Sequence, residues 1–359
     1  MKKSRFTDSQ IIAALKQAEA GPVYNSPMPR TLPEPLLPLL RRLSDGHFHS
    51  GQALAQEYGV SRASVFNFVR LAGELGVSIR AVRGRGYQLA APTEWLDASQ
   101  IKAALGSRAD QFHVQLLDST DSTNSVLMRA AEAGAADGSV VCAEVQFAGR
   151  GRRGRQWHSV LGGSLTFSVL LRFDEGIATL VGLSLAVGVA MARAINRHSA
   201  FAVKLKWPND VLVDYRKLAG ILVEIQGDLQ GPSFAVVGVG LNVRLPGEQR
   251  DSIDQAVVDL EEMQVQTGRN ALLAACLLEL KDVVEVMRRK GFKALRTEWE
   301  SYHAHAGQLV SLTLPDAQTV SGIALGVDDT GAFLLQNSSG DRVAYNGGEI
   351  RLRAQRSRT

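Results

Sequence analysis

Apolar positions along the chain follow three successive rhythms. Leu36, Leu39, Leu40 and Leu43 fall at helical spacing and predict a first helix, closed by Ser44-Asp45-Gly46. Ser50 is placed to cap a second, Gln52 to Tyr58, with Leu54 turned inward. Gly59 makes the turn, and Ser61 caps a third helix, Arg62 to Leu75, whose Val65, Phe68, Val69 and Ala72 share one face. The period then drops to two over Ile79 to Val82 and Tyr87 to Leu89, on either side of RGRG, which predicts a hairpin. Helices joined through a glycine turn and followed by a hairpin make a winged helix-turn-helix, whose last helix is shaped to enter a DNA major groove. Ser61, Arg62, Ser64, Asn67 and Arg70 on that helix, with Arg83 and Arg85 on the hairpin, are the exposed candidates for base and phosphate contact. A three-helix interaction module that never meets DNA is the alternative.

Beyond Pro92-Thr93 a second regime begins. His113 to Leu117, Val140 to Val145, Ser164 to Leu171, Val203 to Lys206, Val211 to Val213, Leu218 to Glu224 and Ala235 to Asn242 read as strands. Helical patterns interrupt them: one after Asp118-Ser-Thr-Asp-Ser-Thr-Asn124, and an amphipathic one from Asn270 to Lys290. Gly176 to Ala192 is uncharged over 17 residues, short of the roughly 20 that a membrane helix needs. It contains Ser, Thr and several Gly and runs straight into Arg193, so it is expected to be a buried core helix. The third regime is a series of short β patterns: Leu309 to Leu314, Thr319 to Val327, Ala332 to Gln336, Arg342 to Tyr345 and Glu349 to Leu352. Turns such as Asp328-Asp329-Thr330-Gly331 separate them, as in a small barrel. The expected class is an α+β multidomain chain: residues 28–92 the winged module, 93–306 a mixed-sheet domain, 307–359 the barrel.

Composition sharpens this in two places. The chain has 359 residues and a net charge of only +4, but residues 28–92 hold eight arginines against four acids, and Arg351, Arg353, Arg356 and Arg358 crowd the tail. Local basic excess suits a polyanion partner; a solvated basic face is the plainer explanation. The two cysteines, Cys142 and Cys276, lie far apart in apolar surroundings, which argues against a disulfide framework or a zinc site and suits a reducing cytoplasm. After MKKSRF the polar TDSQ stands where a secretory signal would be apolar.

The stretch Glu144 to Ser159, EVQFAGRGRRGRQWHS, packs Gly149, Gly151 and Gly154 with Arg150, Arg152, Arg153 and Arg155 into seven residues. Glycines permit close approach of backbone, and guanidinium forks supply fixed positive charge, so the loop can wrap a triphosphate or phosphoanhydride. Taken alone it is equally a basic surface loop or a nucleic-acid contact. Two further motifs change this: KWPND at Lys206 to Asp210, and RKLAGILVE at Arg216 to Glu224. In this order the three resemble the catalytic core of a biotin protein ligase. The winged module makes the chain similar to the bifunctional members that also repress biotin operons. The likeness runs from about His47 to Arg353.

That resemblance implies a class II synthetase-like central domain and an SH3-like C-terminal barrel that closes over nucleotide and acceptor protein. It implies biotin and ATP as substrates, with Mg²⁺ arriving on ATP, and a two-step reaction: biotinyl-5′-adenylate forms with release of pyrophosphate, then biotin passes to a lysine. The implied partners are the biotin carboxyl carrier domain of acetyl-CoA carboxylase and operator DNA, with a homodimer forming when the adenylate is bound; no membrane is involved. Ser122, Thr123 and Asn124 match the segment that holds the ureido ring. Gln146, Gly149, Arg150, Gly151, Arg152, Asn209, Lys217, Gly220, Ile221 and Asn242 match the rest of the ligand site, and likeness makes Trp157 a lid. Lys217, Arg150 and Arg152 are assigned the charge stabilisation; Asp210 either orients and deprotonates the acceptor amine or fixes the Pro208 turn. Phe147 departs from the family, which commonly carries a polar residue there. Nothing in the family corresponds to residues 1–22, where Thr7 and Gln10 form a capping box ahead of Ile11, Ile12, Leu15 and Ala18. This piece resembles the opening of the small first reading frame of some insertion-sequence transposases. Residues 1–27 are therefore expected to be an extension, with Met28 the ancestral start. A ligand-sensing regulator without ligase activity is the second functional reading; a lipoate ligase and a nucleic-acid enzyme fit the motifs less well.

Overall fold

Three modules follow one another in residues 32–352, the part of the chain that the computed structural model describes. The helix expected over residues 1–22, the extension to residue 27 and the arginines Arg353, Arg356 and Arg358 lie outside the described residues. The first module holds α1 (Leu36–Leu43), α2 (Gly51–Glu57), α3 (Arg62–Glu74) and the hairpin β1 (Ile79–Val82) and β2 (Gly86–Leu89). The Ser50 and Ser61 hydroxyls accept the N–H groups of Ala53 and Ser64, each at 3.0 Å, and so satisfy free donors at two helix starts. Gly86 is required by close approach: a Cβ there would fall 2.0 Å from the His49 carbonyl oxygen.

This module does not close its own core. Val145 and Leu161 are buried among its leucines, and Trp95 and Phe147 pack against them. The Leu161 N–H donates to the Leu75 carbonyl at 3.0 Å. The apolar ring of Phe147 thus has an apolar partner, which accounts for its departure from the polar family residue.

The central module contains α4 (Ala98–Leu105), β3 (His113–Thr120), α5 (Thr123–Glu132), β4 (Ser139–Gln146), β5 (Ser164–Phe173), α6 (Leu183–Asn196), β6 (Lys204–Lys206), β7 (Asp210–Val213), β8 (Arg216–Gly227), β9 (Ser233–Asn242), α7 (Gly247–Asp251), α8 (Arg269–Lys290) and α9 (Arg296–Tyr302). The sheet order is β3-β4-β5-β9-β8-β7-β6, with β3 and β4 parallel and the rest antiparallel. Helices α4, α7 and α9 were not anticipated from the pattern of the chain. The core helix extends past the uncharged run through Arg193: the segment Ile177–Asn196 has the length and composition of a membrane span, yet 67% of its apolar window is buried inside the protein, where α6 packs with α8 and the sheet.

Strand periodicity decides what each face of the sheet can do. Cys142, Phe167 and Val239 pair in register across β4, β5 and β9 and enter the main core. The opposite face carries small or polar residues in register: Thr166 with Gly240, Gly240 with Gly220, Gly220 with Asp210, and Ser168 with Gly238. The same face is apolar further along, where Val141, Leu170 and Val236 receive Leu127 and Ala131 of α5. The small residues therefore leave a hollow beside the N-terminus of α5.

The barrel is β10 (Leu309–Thr313), β11 (Thr319–Val327), β12 (Phe333–Gln336), β13 (Arg342–Tyr345) and β14 (Glu349–Leu352), in the order β13-β12-β11-β10-β14. Its Val310, Leu312, Phe333 and Ile350 belong to the same core as the central sheet, so apolar packing is continuous across residue 307. Trp207 joins the two: its indole N–H donates to the Gly331 carbonyl at 3.0 Å, and its ring lies 5.4 Å from Phe333.

Two buried histidines sit at this junction. Neither ring nitrogen of His303 has a partner, and the imidazole stacks on Trp299 with centroids 4.9 Å apart. Burial and the neighbouring His305 lower the pKa of His303 from 6.5 to about 4; burial and Lys206 do the same for His305. A group that ionises at 6.5 unfolded and at about 4 folded takes its proton first in the unfolded chain, so stability is complete above pH 6.5 and falls as pH drops toward 4. Replacing His303 with Phe removes two unpaired buried atoms. The variant is expected to melt higher than wild type, by more at pH 5 than at pH 8; equal shifts at both pH values would exclude imidazole ionisation.

Candidate active site

The hollow is a basin with about 1140 Å³ of empty space, solvent at its mouth included. Its polar end is built at the start of α5, where Ser122, Thr123 and Asn124 are buried. Gln146, the last residue of β4, accepts from the Thr123 N–H at 2.7 Å and from its hydroxyl at 3.0 Å. From the facing strand, Ser168 Oγ lies 2.7 Å from the Thr123 hydroxyl oxygen and 2.5 Å from Asn124 Oδ1. A Cβ at Gly238 would stand 2.2 Å from Asn124 Oδ1, so only glycine lets the amide into this wall.

The glycine-arginine stretch forms a small hairpin over the basin. Arg150 and Gln156 pair as a β-bridge, the Gly151 N–H donates to Arg155 O at 2.7 Å, and the Trp157 N–H donates to Gly149 O at 2.8 Å. Its glycines do different jobs. Gly149 lies at the foot, where a Cβ would meet the Trp157 carbonyl at 2.6 Å; Gly154 is left-handed at φ 72°; Gly151 has ordinary space and extended backbone. Arg153, an arginine, also takes a left-handed conformation at φ 57°. The Trp157 indole lies against Gly240, whose Cβ would be 2.3 Å from the ring, and its buried N–H has no partner.

Charge gathers on the remaining walls. Lys217 Nζ lies 2.7 Å from Asp210 Oδ1 and 5.9 Å from the centre of the Trp157 ring. The direction of Lys217 depends on a β-bulge. Gly220 faces the basin, and strict alternation would send Lys217 to the other face, but the register slips between Val211 and Leu212 and turns it back. Arg150 pairs with Glu224 at 2.8 Å, and the same carboxylate oxygen accepts from Asn124 Nδ2 at 2.7 Å. Arg152 reaches Asn209 Oδ1 at 3.4 Å, while Asn209 Nδ2 donates to Ile221 O at 2.8 Å. Asn242 donates to the carbonyls of Lys217 and Val258, both at 3.2 Å. The barrel closes one side: Glu349 pairs with Arg155 at 2.6 Å. Burial alone would raise the Glu349 pKa, but the hydrogen bond and charge of Arg155, with Lys206 and Arg351, bring it below the usual value. Burial lowers the pKa of Lys206, with the Asp210 and Glu349 carboxylates opposing. Among the described residues no group of three His, Cys, Asp or Glu side chains is placed to hold a metal ion.

All the residues singled out for catalysis or ligand binding line this basin, except Gly149 at the foot of the hairpin. Gly238, Gly240, Lys206 and Glu349 line it as well, and Ser168 and Glu224 bond to side chains on its walls; none of these was singled out. The alternation of small with large residues in β5 and β9 was the available signal for Ser168, Gly238 and Gly240. On α3, Arg62 and Asn67 are exposed, Ser61 is committed to its cap and Ser64 is bonded to it, and Arg70 is paired with Glu74 at 2.7 Å. On the wing Arg83 is exposed and Arg85 stacks on Phe48 at 4.3 Å.

A cationic, polar-ended basin joined to a winged helix defines a substrate-activating enzyme fused to a DNA-binding module. Residues 116–242 match the Biotin/lipoate A/B protein ligase family, residues 305–353 the Biotin protein ligase C terminal domain, and residues 36–88 an HTH domain. The chain is 37% identical to the Bifunctional ligase/repressor BirA of Salmonella typhimurium over 89% of its own length and 97% of that protein. It is 30% identical to the protein of the same name from Bacillus subtilis, over 89% and 98%. Among solved structures, the Biotin protein ligase from Aquifex aeolicus in complex with biotin and ATP superposes with a TM-score of 0.57 at 29% identity, covering 67% of this chain and 98% of that one. The chain belongs to the biotin protein ligases, in their bifunctional ligase/repressor group.

Proposed function

We propose that the basin binds biotin and ATP together and joins them as biotinyl-5′-adenylate. The observation that carries this reading is Lys217, whose ammonium stands inside the basin on Asp210, with Arg150 and Arg152 on its walls. A carboxylate oxygen of biotin attacks the α-phosphorus of ATP and displaces pyrophosphate. The catalyst must hold two anions together and neutralise developing charge, a task for cations rather than for a base. Arg150 exchanges Glu224 for these anions when they arrive. Magnesium accompanies ATP and neutralises the departing phosphates. The ureido ring, with two N–H donors and one carbonyl, meets the hydroxyls and amide of Ser122, Thr123 and Asn124, and Trp157 covers the apolar remainder of biotin.

In the second half-reaction the adenylate passes biotin to a lysine of a biotin carboxyl carrier domain of acetyl-CoA carboxylase. The adenylate-bound chain dimerises and binds operator DNA through α3 and the wing, which makes it a biotin-responsive repressor as well as a ligase. A cytoplasmic setting, where ATP and the carrier are found, fits the two free cysteines. Biotin-dependent exchange of labelled pyrophosphate into ATP tests the ligase reading; no exchange by the purified chain would leave a ligand-sensing regulator. For DNA, Arg62→Ala is expected to raise the gel-shift midpoint roughly tenfold on a duplex selected by the protein from random sequence, with adenylate present. An unchanged midpoint would remove α3 from the interface.

A further inference from the structure

Helix α3 turns most of its apolar side chains inward: Val65 and Ala72 are buried, and Phe68 and Leu71 pack on the core of the first module. Phe66 does not follow them and is 60% exposed. One exposed apolar residue is ordinary on a protein surface, but the neighbours of this one set it apart. Arg62, Asn67 and Arg70 are exposed with it, and at helical spacing Arg62 and Arg70 stand one turn before and one turn after it. The ring thus lies in the middle of a stripe whose other large members are guanidinium and amide groups. The C-terminal end of α3 is held on the central module, where the Leu75 carbonyl accepts from the Leu161 N–H at 3.0 Å and a Cβ on Gly76 would meet Val160 at 2.7 Å. The end left for a partner carries Arg62, Phe66 and Asn67, and the wing adds the exposed Arg80 and Arg83 to the same module. Duplex DNA answers both features: phosphates meet the arginines, and in the major groove the C5-methyl of thymine is the apolar group among the base edges.

We propose that Phe66 is a specificity-determining residue of the DNA interface, packing its ring on the C5-methyl of a thymine in the operator. The inference rests on the DNA-binding reading above. The ring carries neither donor nor acceptor, so against the edge of any other base it would bury hydrogen-bonding groups without partners. Against thymine it buries a methyl group instead. Thymine is thus favoured by contact, and the other three bases are rejected by hydrogen bonds that cannot be made. Arg62 and Asn67, on either side of the ring, have the donors and acceptors to meet the polar edges of adjoining bases.

The test starts from a pool of random-sequence duplexes bound by the full-length protein with biotin and ATP present. In the duplex that is enriched, each thymine in turn is replaced by deoxyuridine, which removes the methyl group and keeps the pairing. At one thymine position the gel-shift midpoint is expected to rise about fourfold, the worth of one buried methyl, whereas with Phe66→Ala the same replacement is expected to change it by less than about 1.5-fold. Phe66→Leu keeps an apolar side chain and is expected to retain most of the methyl effect. The dependence of binding on salt is expected to be the same in all three proteins, because phenylalanine neutralises no phosphate. Since the ring is exposed, Phe66→Ala is expected to melt with the unmodified protein. Deoxyuridine tolerated at every position, or a methyl effect of equal size in Phe66→Ala, overturns the assignment and leaves the DNA-binding reading in place. So does a Phe66→Ala protein whose only change is weaker self-association, which would make the ring a contact between copies. A pool from which the unmodified protein enriches no sequence overturns both.

Discussion

Lys217→Ala is expected to lower the rate of biotin-dependent pyrophosphate exchange by about 10²–10³-fold, the loss seen when one preorganised donor to a developing charge is removed. Biotin binding is expected to weaken far less, because in the proposed mode much of biotin sits at the other end of the basin, against Ser122, Thr123 and Asn124. Part of the loss has a second source. Lys217 neutralises Asp210 at 2.7 Å, and without it the carboxylate faces two incoming anions unpaired. Lys217→Ala combined with Asp210→Asn is therefore expected to recover some exchange relative to Lys217→Ala alone, and the difference measures the repulsion. If the single substitution leaves the exchange rate within a factor of about three, Lys217 makes no interaction peculiar to the transition state.

Glu144→Ala is expected to destabilise the protein by about 3–5 kcal/mol, the cost of leaving a buried charge without its partner. Arg269 and Glu144 have side chains only 3% and 2% exposed and meet at 2.8 Å. The pair also organises the chain between the first two modules: Arg269 donates to Glu94 O at 2.8 Å, and the Leu96 N–H donates to Glu144 at 2.6 Å. The other two guanidinium nitrogens of Arg269 lack hydrogen-bond partners, and among the described residues Glu144 is the carboxylate that its side chain pairs with. Urea unfolding should show a lower midpoint for Glu144→Ala, and the double variant with Arg269→Met should regain much of it, since no charge is then left buried without a partner. A double variant no more stable than Glu144→Ala would mean that the linker bonds, rather than the unpaired charge, dominate.

The legible part of this protein was local. Caps at Ser50 and Ser61, the leucine spacing of α1 and the alternation in the barrel strands are relations between residues a few positions apart, and they fixed most elements to within one or two residues. The three motifs were legible because each ligand group is carried on a short contiguous stretch. The short helices α4, α7 and α9 escaped because their apolar positions are too few to form a stripe.

What the sequence alone determined is which side chains are available: guanidinium groups among glycines, an ammonium in RKLAGILVE, hydroxyls and an amide at a helix start, and an arginine-rich winged module. Their meeting was decided by the sheet. In-register pairing of β5, β9, β8 and β7 lays Thr166, Gly240, Gly220 and Asp210 along one row, a bulge turns Lys217 into it, and the barrel brings Glu349 to Arg155 from 194 residues away. Register and docking follow from burying large side chains on the other face of the same strands, a balance over the whole core that no stretch of sequence contains by itself.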